Sequence, residues 1–402
     1  MSLDIHNVAQ QIDDATSQIR EQNKFYHQQL NKSYNTLLRA EATEIETKRI
    51  SSNTNFLIPG ISKSLSTKYR LPELPKNYSV LAVDGSHIDV DRHLPIQCCL
   101  INIGKVHIRY GESPSASLSN NPRLFSDKED LQLHEISGNR SQTLEGPLLG
   151  ALRAVEEMVS LADLMKETGT DVPSLALIDG SLILWSIIGQ TYPDFVRSRL
   201  LDDMFLPALD RLHEISKVIP LALASYISLP RSKEITNALR LEKHNCHYQN
   251  ANCSIHCGSL TTGDRPCDGF TQIMDRNLFD ELLEVGERSE SFASTSSIVE
   301  RYYDYHKIHF YYLNVGNEIS RIEIPEWVNS NDYLLDLTHA ALVKQCENGH
   351  GYPVALMEAH EQAVVTNHDR EEFRKIIEDA LARNNLPNYT SEKNRSKRIK
   401  WL

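Results

Sequence analysis

The opening fifty residues are mostly polar, with Ile5, Ile12, Ile19 and Tyr26 at seven-residue intervals and Val8 and Ala15 between them. That spacing predicts an amphipathic helical arm over residues 1–50. It decays before several clean heptads accumulate, so a helix folded against its own chain and a dimerisation helix are both open. The stretch SSNTNFLIPGISKSLSTKYRLPELPKNY breaks the periodicity with Ser, Asn and Pro and marks a boundary. From residue 79 short apolar runs take over. SVLAVDGSHI reads as a buried strand, and LPIQCCLINIG with KVHIRYG reads as a hairpin turning at about 102–105. A loop rich in Ser and Asn leads to a helix over about 141–166, then the strand SLALIDGS, a helix from about Pro193, and ALASYI followed by another helix. Residues 241–290 interrupt this order with cysteines and histidines. Beyond them HKIHFYYLNVG and ISRIEIP read as strands, DYLLDLTHAALVKQCE as a helix, and GYPVALMEAHEQAVV as a turn opening further helices. Strands interleaved with helices predict an α/β mixed sheet. The expected segments are a helical arm (1–50), a core in two parts (75–240 and 291–385), a Cys/His-rich insertion (241–290) and a basic tail (386–402).

Two phrases concentrate the chemistry. LAVDGSHI and LALIDGSLILW each set an aspartate, Asp84 and Asp179, at the end of an apolar run and before Gly-Ser. Strand ends of an α/β sheet are where carboxylates meet a metal and a phosphate. The plain alternative is a helix cap and a turn; the duplication favours a site. Glu145, just inside the predicted helix, is the preferred third carboxylate, with Glu156 and Glu157 several turns on. The three oxygen ligands suit Mg²⁺ or Mn²⁺, and His360 adds a nitrogen ligand or moves a proton. Such carboxylates repel one another and hold protons more tightly until a cation offsets the repulsion. Lys233, with Arg231, is read as a phosphate contact or a solvated basic turn. Tyr352 is read as orienting water or stacking on a nucleotide, or simply as packing. Ser86 and Ser181 are supporting hydrogen-bonding groups or caps.

In order and spacing, LAVDGSHI, LEGPLLGALR, LALIDGS, YISLPRSKE and GYPVALMEAHEQAV resemble the NurA family of DNA end-processing nucleases over about residues 75–385, apart from the insertion. The resemblance implies an RNase H-like core, a homodimer around a DNA passage, and manganese-stimulated 5′-to-3′ exonuclease and single-strand endonuclease activity in DNA end resection and repair. It also implies a HerA-type hexameric DNA-translocating ATPase as partner. The family's acidic residues fall on Asp84, Asp179 and Glu145, its basic residue on Lys233, and its C-terminal Tyr and His on Tyr352 and His360. No Walker A motif is present, so ATP-driven motion belongs to a partner. Competing readings are a catalytically weak DNA-bound scaffold regulating a motor ATPase, and a different metal phosphohydrolase.

Cys246, Cys253, Cys257 and Cys267, near His244, His247 and His256, leave three readings: a closed tetrahedral zinc site, reduced unligated thiols, or an iron–sulfur or redox role. Cys98, Cys99 and Cys346 suit buried positions. With 402 residues, 40% hydrophobic and 24% charged, the chain has the composition of a globular protein with a sizeable core. The net charge of -12 argues against a broad basic coat, though not against a local basic channel. KNRSKRIKWL is the one concentrated basic run, a solvated tail or a phosphate contact. Neither a transmembrane-length apolar run nor a secretory leader is visible, so no membrane association and a cytoplasmic location are expected.

Overall fold

The computed structural model describes residues 4–386 apart from 91–95, 136, 170, 189–191 and 262. Beyond Leu386 the expected basic tail lies outside the described residues. The chain forms two compact units: Met1–Leu71, Ile227–Ser297 and His309–Glu323 make one, and Pro72–Tyr226, Ile298–Ile308 and Ile324–Leu402 make the other.

In the second unit the strands run in the order Leu221–Ile227, Ser174–Asp179, Tyr78–Ile88, Cys99–Tyr110 and Ser115–Phe125. The first three are mutually parallel, and each of the last two runs antiparallel to the strand before it. Parallel strands covered on both faces read as continuous apolar runs, and VLAV, LALI and LALA are buried residue after residue. Helix Pro147–Thr168 packs over this sheet and shares a core with it that includes Leu81, Val83, Ala176, Ile178, Leu152 and Val155.

Two expectations change here. The hairpin expected at 102–105 is one continuous strand, Cys99–Tyr110, paired along its length with Tyr78–Ile88. Gly104, which suggested a turn, sits opposite Asp84, where a Cβ would come within 2.2 Å of the Ala359 carbonyl oxygen and 2.7 Å of the Ala363 nitrogen. The glycine serves the close approach of helix Val354–Ala363 to the sheet. The Ser/Asn-rich loop also contains a strand, Ser115–Phe125, exposed at every residue but Phe125. With no apolar face it shows no period-two signal, and its Pro122 suits the end of the strand order where it sits.

The first unit holds the N-terminal helices Ile5–Arg39 and Ala42–Ser51. Ile5, Ile12 and Phe25 are exposed, whereas Leu30 and Leu37 enter a core with Phe270, Leu278, Phe279 and Tyr312. The side chain of Ile19 lies outside what is described. The Cys/His-rich segment is fastened to the second of these helices: Lys48 Nζ donates to the carbonyls of Leu241 (3.0 Å) and Cys246 (2.8 Å). Among the described residues no helix is long and apolar enough to cross a membrane.

Candidate active site

Strand register brings the two duplicated phrases together. Val83 stands beside Ile178 on parallel neighbours, so the next residues, Asp84 and Asp179, leave adjacent strands at one level, roughly 4.8 Å apart along the sheet. Asp179 ends its strand, and Gly180 turns the chain away with φ +88°, a value costly for residues with a Cβ. Asp84, expected at a strand end, is instead within a strand that continues to Ile88.

A further carboxylate close enough to feel the charges of this pair is Glu157, beneath Gly85. Its side chain is buried, and its carboxyl is pushed up to about 8, chiefly by burial and further by the charges of Asp84 and Asp179, with Arg153 opposing. Glu157 Oε1 has no hydrogen-bond partner, and the Arg153 Nε lies 3.4 Å from it. Access depends on Gly85, where a Cβ would meet Glu157 Oε1 at 2.6 Å. Glu145 is elsewhere: it is exposed, precedes the first turn of the helix, and its carbonyl accepts from Leu148 N. Ten residues of helix, about 15 Å, separate Pro147 from Glu157. Glu156, next to Glu157, pairs with Arg123 at 3.1 Å.

Since Asp84 and Gly104 share one face of the sheet and Gly85 points to the other, helices Val354–Ala363 and Pro147–Thr168 approach from opposite sides. The former brings His360, whose Nδ1 lies 2.8 Å from Asp84 Oδ2. It is held down at its end: the Ala363 carbonyl accepts from Ser86 Oγ (2.5 Å) and Asn102 Nδ2 (2.9 Å). Tyr352, just ahead of this helix, donates its hydroxyl to Asp179; burial, the largest influence, leaves that carboxyl above its usual range, and the Asp84 charge adds to the rise. Asp84, Asp179, Tyr352, Leu356, Met357 and His360 line one cavity of ≈ 300 Å³.

The NurA domain model matches residues 78–365, well over half of the chain. The chain belongs to the NurA family. Its core is therefore an RNase H-like mixed α/β fold with helices ahead of it, and the protein is a nuclease of DNA processing. Among solved structures, one described as the crystal structure of NurA with manganese shares 11% identity at a TM-score of 0.37, covering 90% of this chain and 98% of its own. The Argonaute of Aquifex aeolicus shares 8% at a TM-score of 0.25, covering 73% and 28%. No curated protein matches the chain.

Of the remaining residues expected to serve this NurA chain, Lys233 belongs to the first unit, where its Nζ donates to the Thr271 carbonyl at 2.6 Å. Cys246, Cys253, Cys257 and Cys267 border one cavity of ≈ 340 Å³ together with His247, His256 and apolar walls such as Phe56 and Leu260. Burial raises the Cys253 thiol, and neighbouring Cys257 and Cys267 raise it further, while Arg240 reaches Cys267 Sγ at 3.6 Å. Among the described residues no three or more His, Cys, Asp or Glu side chains are already drawn into a metal-holding group, in either place. The donor chemistry nevertheless suits a hard divalent cation at the first, where Asp84 and Asp179 line one cavity and the buried Glu157 carboxyl, 3.4 Å from Arg153 Nε, feels the charges of both.

One sequence signal marks Glu157. It precedes Leu161 by four residues and Leu164 by seven, on the apolar stripe of its helix, where a carboxylate is out of place without a partner.

Proposed function

We propose that this chain is a metal-dependent deoxyribonuclease hydrolysing phosphodiester bonds at DNA ends, with Asp84, Asp179 and Glu157 as the acidic set. The observation that carries the reading is the register that sets Asp84 beside Asp179, where the two line one cavity with Tyr352 and His360. Mn²⁺ or Mg²⁺ held there would activate water and offset charge on the leaving oxygen.

The chain's own groups have separable tasks. The Asp84 carboxylate fixes the imidazole of His360 through Nδ1, which leaves Nε2 to take a proton from water or return one to the leaving oxygen. The Tyr352 hydroxyl orients Asp179. Leu356 and Met357 form an apolar margin of the cavity, which limits water near the reacting phosphate. Lys233 is assigned a phosphate contact: an ammonium has three donors and one is committed to Thr271. The role first given to Glu145 passes to Glu157.

In the same reading the enzyme acts 5′ to 3′ on ends and endonucleolytically on single strands, works as a homodimer, and takes its DNA from a HerA-type hexameric ATPase; the family resemblance supports these. For the insertion, the proposal is structural zinc drawing together the thiolates of Cys246, Cys253, Cys257 and Cys267, supported by their sharing one cavity.

The deciding experiment follows 5′- and 3′-labelled single- and double-stranded DNA with Mn²⁺ or Mg²⁺, comparing wild type, Asp84→Asn and Asp179→Asn at equal foldedness. Metal-dependent cleavage by wild type alone is expected. Absence of wild-type cleavage with every metal, with and without a HerA-type ATPase, would overturn the reading in favour of a DNA-bound scaffold.

A further inference from the structure

The segment leaving Asp179 turns one large aromatic side chain outward. In the run Leu182–Ile183–Leu184–Trp185, the first three are 0, 2 and 4% exposed, whereas Trp185 is 44% exposed. A single exposed apolar residue is ordinary on a protein surface. This one is held in place. Leu184 N donates to the hydroxyl of Tyr303 (3.0 Å), and that wholly buried tyrosine donates in turn to the Leu182 carbonyl (2.9 Å), clamping the backbone on both sides of Ile183. The indole Nε1 donates to Ser181 Oγ (3.2 Å), which also accepts from Ile183 N (3.0 Å).

These bonds locate the ring. Ser181 follows Asp179 by two residues, so their Cα atoms are at most about 7 Å apart, and the indole is bonded to the Ser181 side chain. The indole's one polar atom is thereby satisfied by the protein, and the 44% of the residue left exposed belongs to an aromatic side chain tethered two residues along the chain from Asp179. Every nucleobase offers a matching face, and stacking on an aromatic needs no particular sequence. In a duplex those faces are already covered by neighbouring base pairs; an unpaired strand exposes them.

We propose that Trp185 is a stacking platform for an unpaired nucleobase adjoining the scissile phosphodiester, so that the site selects single-stranded DNA or a frayed end over small phosphodiesters. The inference rests on the nuclease reading above and deepens it. Trp185 binds substrate and takes no part in proton transfer.

The test compares wild type, Trp185→Ala and Trp185→Phe on a labelled single-stranded oligonucleotide and on a series in which one abasic residue is walked across the cleavage position. Trp185→Ala is expected to raise KM roughly five- to a hundredfold with kcat nearly unchanged, as loss of one base–aromatic stack implies. Trp185→Phe should recover most of that loss. Wild type should discriminate against one abasic position, and Trp185→Ala should not. An unchanged KM in Trp185→Ala, or abasic discrimination equal to that of wild type, would overturn the proposal. If wild type cleaves no DNA, the nuclease reading fails separately. The stack is then read without turnover, from quenching of a 2-aminopurine oligonucleotide: wild type should quench it and Trp185→Ala should not, and equal quenching rejects the platform.

Discussion

Among individual residues, the assignment that divides the two readings of the acidic site is Glu157 against Glu145. Glu157 is buried against the charges of Asp84 and Asp179, while Glu145 is exposed ahead of the helix. Glu157→Gln should lower metal-dependent cleavage by about ten- to a hundredfold, in the range seen when groups supporting a metal are removed. Glu145→Gln should stay within about twofold of wild type, as expected of an exposed substitution; the reverse order in a steady-state assay would restore Glu145. A second residue-level prediction concerns Asp210. Burial works to raise its carboxyl, but hydrogen bonds from Tyr305 and His306, the latter at 2.9 Å, outweigh it and hold the group below the usual carboxylate range. Because the folded-state value is the lowered one, its stabilisation is complete above the ordinary Asp pKa and disappears as pH falls through the folded value. Asp210→Asn should cost about 1 kcal/mol or less at pH 7, since the side chain is half exposed and screened. Its thermal midpoint should converge on that of wild type in strong acid. A deficit that persists undiminished there would contradict this account.

For whole elements, the position of helix Val354–Ala363 depends on an atom that is absent. Gly104→Ala would place a methyl 2.2 Å from the Ala359 carbonyl oxygen, next in sequence to His360. Backbone cannot swing aside as a side chain can, so the helix must lift. The expected cost is about 1–3 kcal/mol of stability, together with reduced cleavage, measured by thermal unfolding and the DNA assay. Unchanged values for both would show the contact to be soft. In the Cys/His-rich segment, zinc-supplemented, chelator-free preparations should carry one zinc per chain. Replacement of Cys246, Cys253, Cys257 and Cys267 by Ser should abolish it. Wild type without zinc, or full retention in the fourfold variant, would leave these as reduced thiols. Elements also differed in how well the sequence announced them. The strands carrying Asp84 and Asp179 were evident because burial on both faces enforces apolar runs. Strand Ser115–Phe125 was not, because an exposed strand needs no apolar alternation.

For the molecule as a whole, the proposed homodimer predicts a solution mass of twice 45.7 kDa by sedimentation or light scattering; a concentration-independent monomer would exclude it. The N-terminal helix packs Leu30 and Leu37 into its own unit, as the internal-arm description expects, and leaves Ile5, Ile12 and Phe25 exposed. By itself the sequence determined the α/β class, the two aspartates, Tyr352 and His360 as candidates, and the family, because these depend on residue type and order. Only the tertiary structure decided that Asp84 and Asp179 share a level, that Glu157 is buried within reach of their charges while Glu145 is exposed, and that Gly104 is a point of contact and not a turn. Register, the direction a helix presents and the clearance above a glycine arise between segments distant in sequence, so no local pattern specifies them.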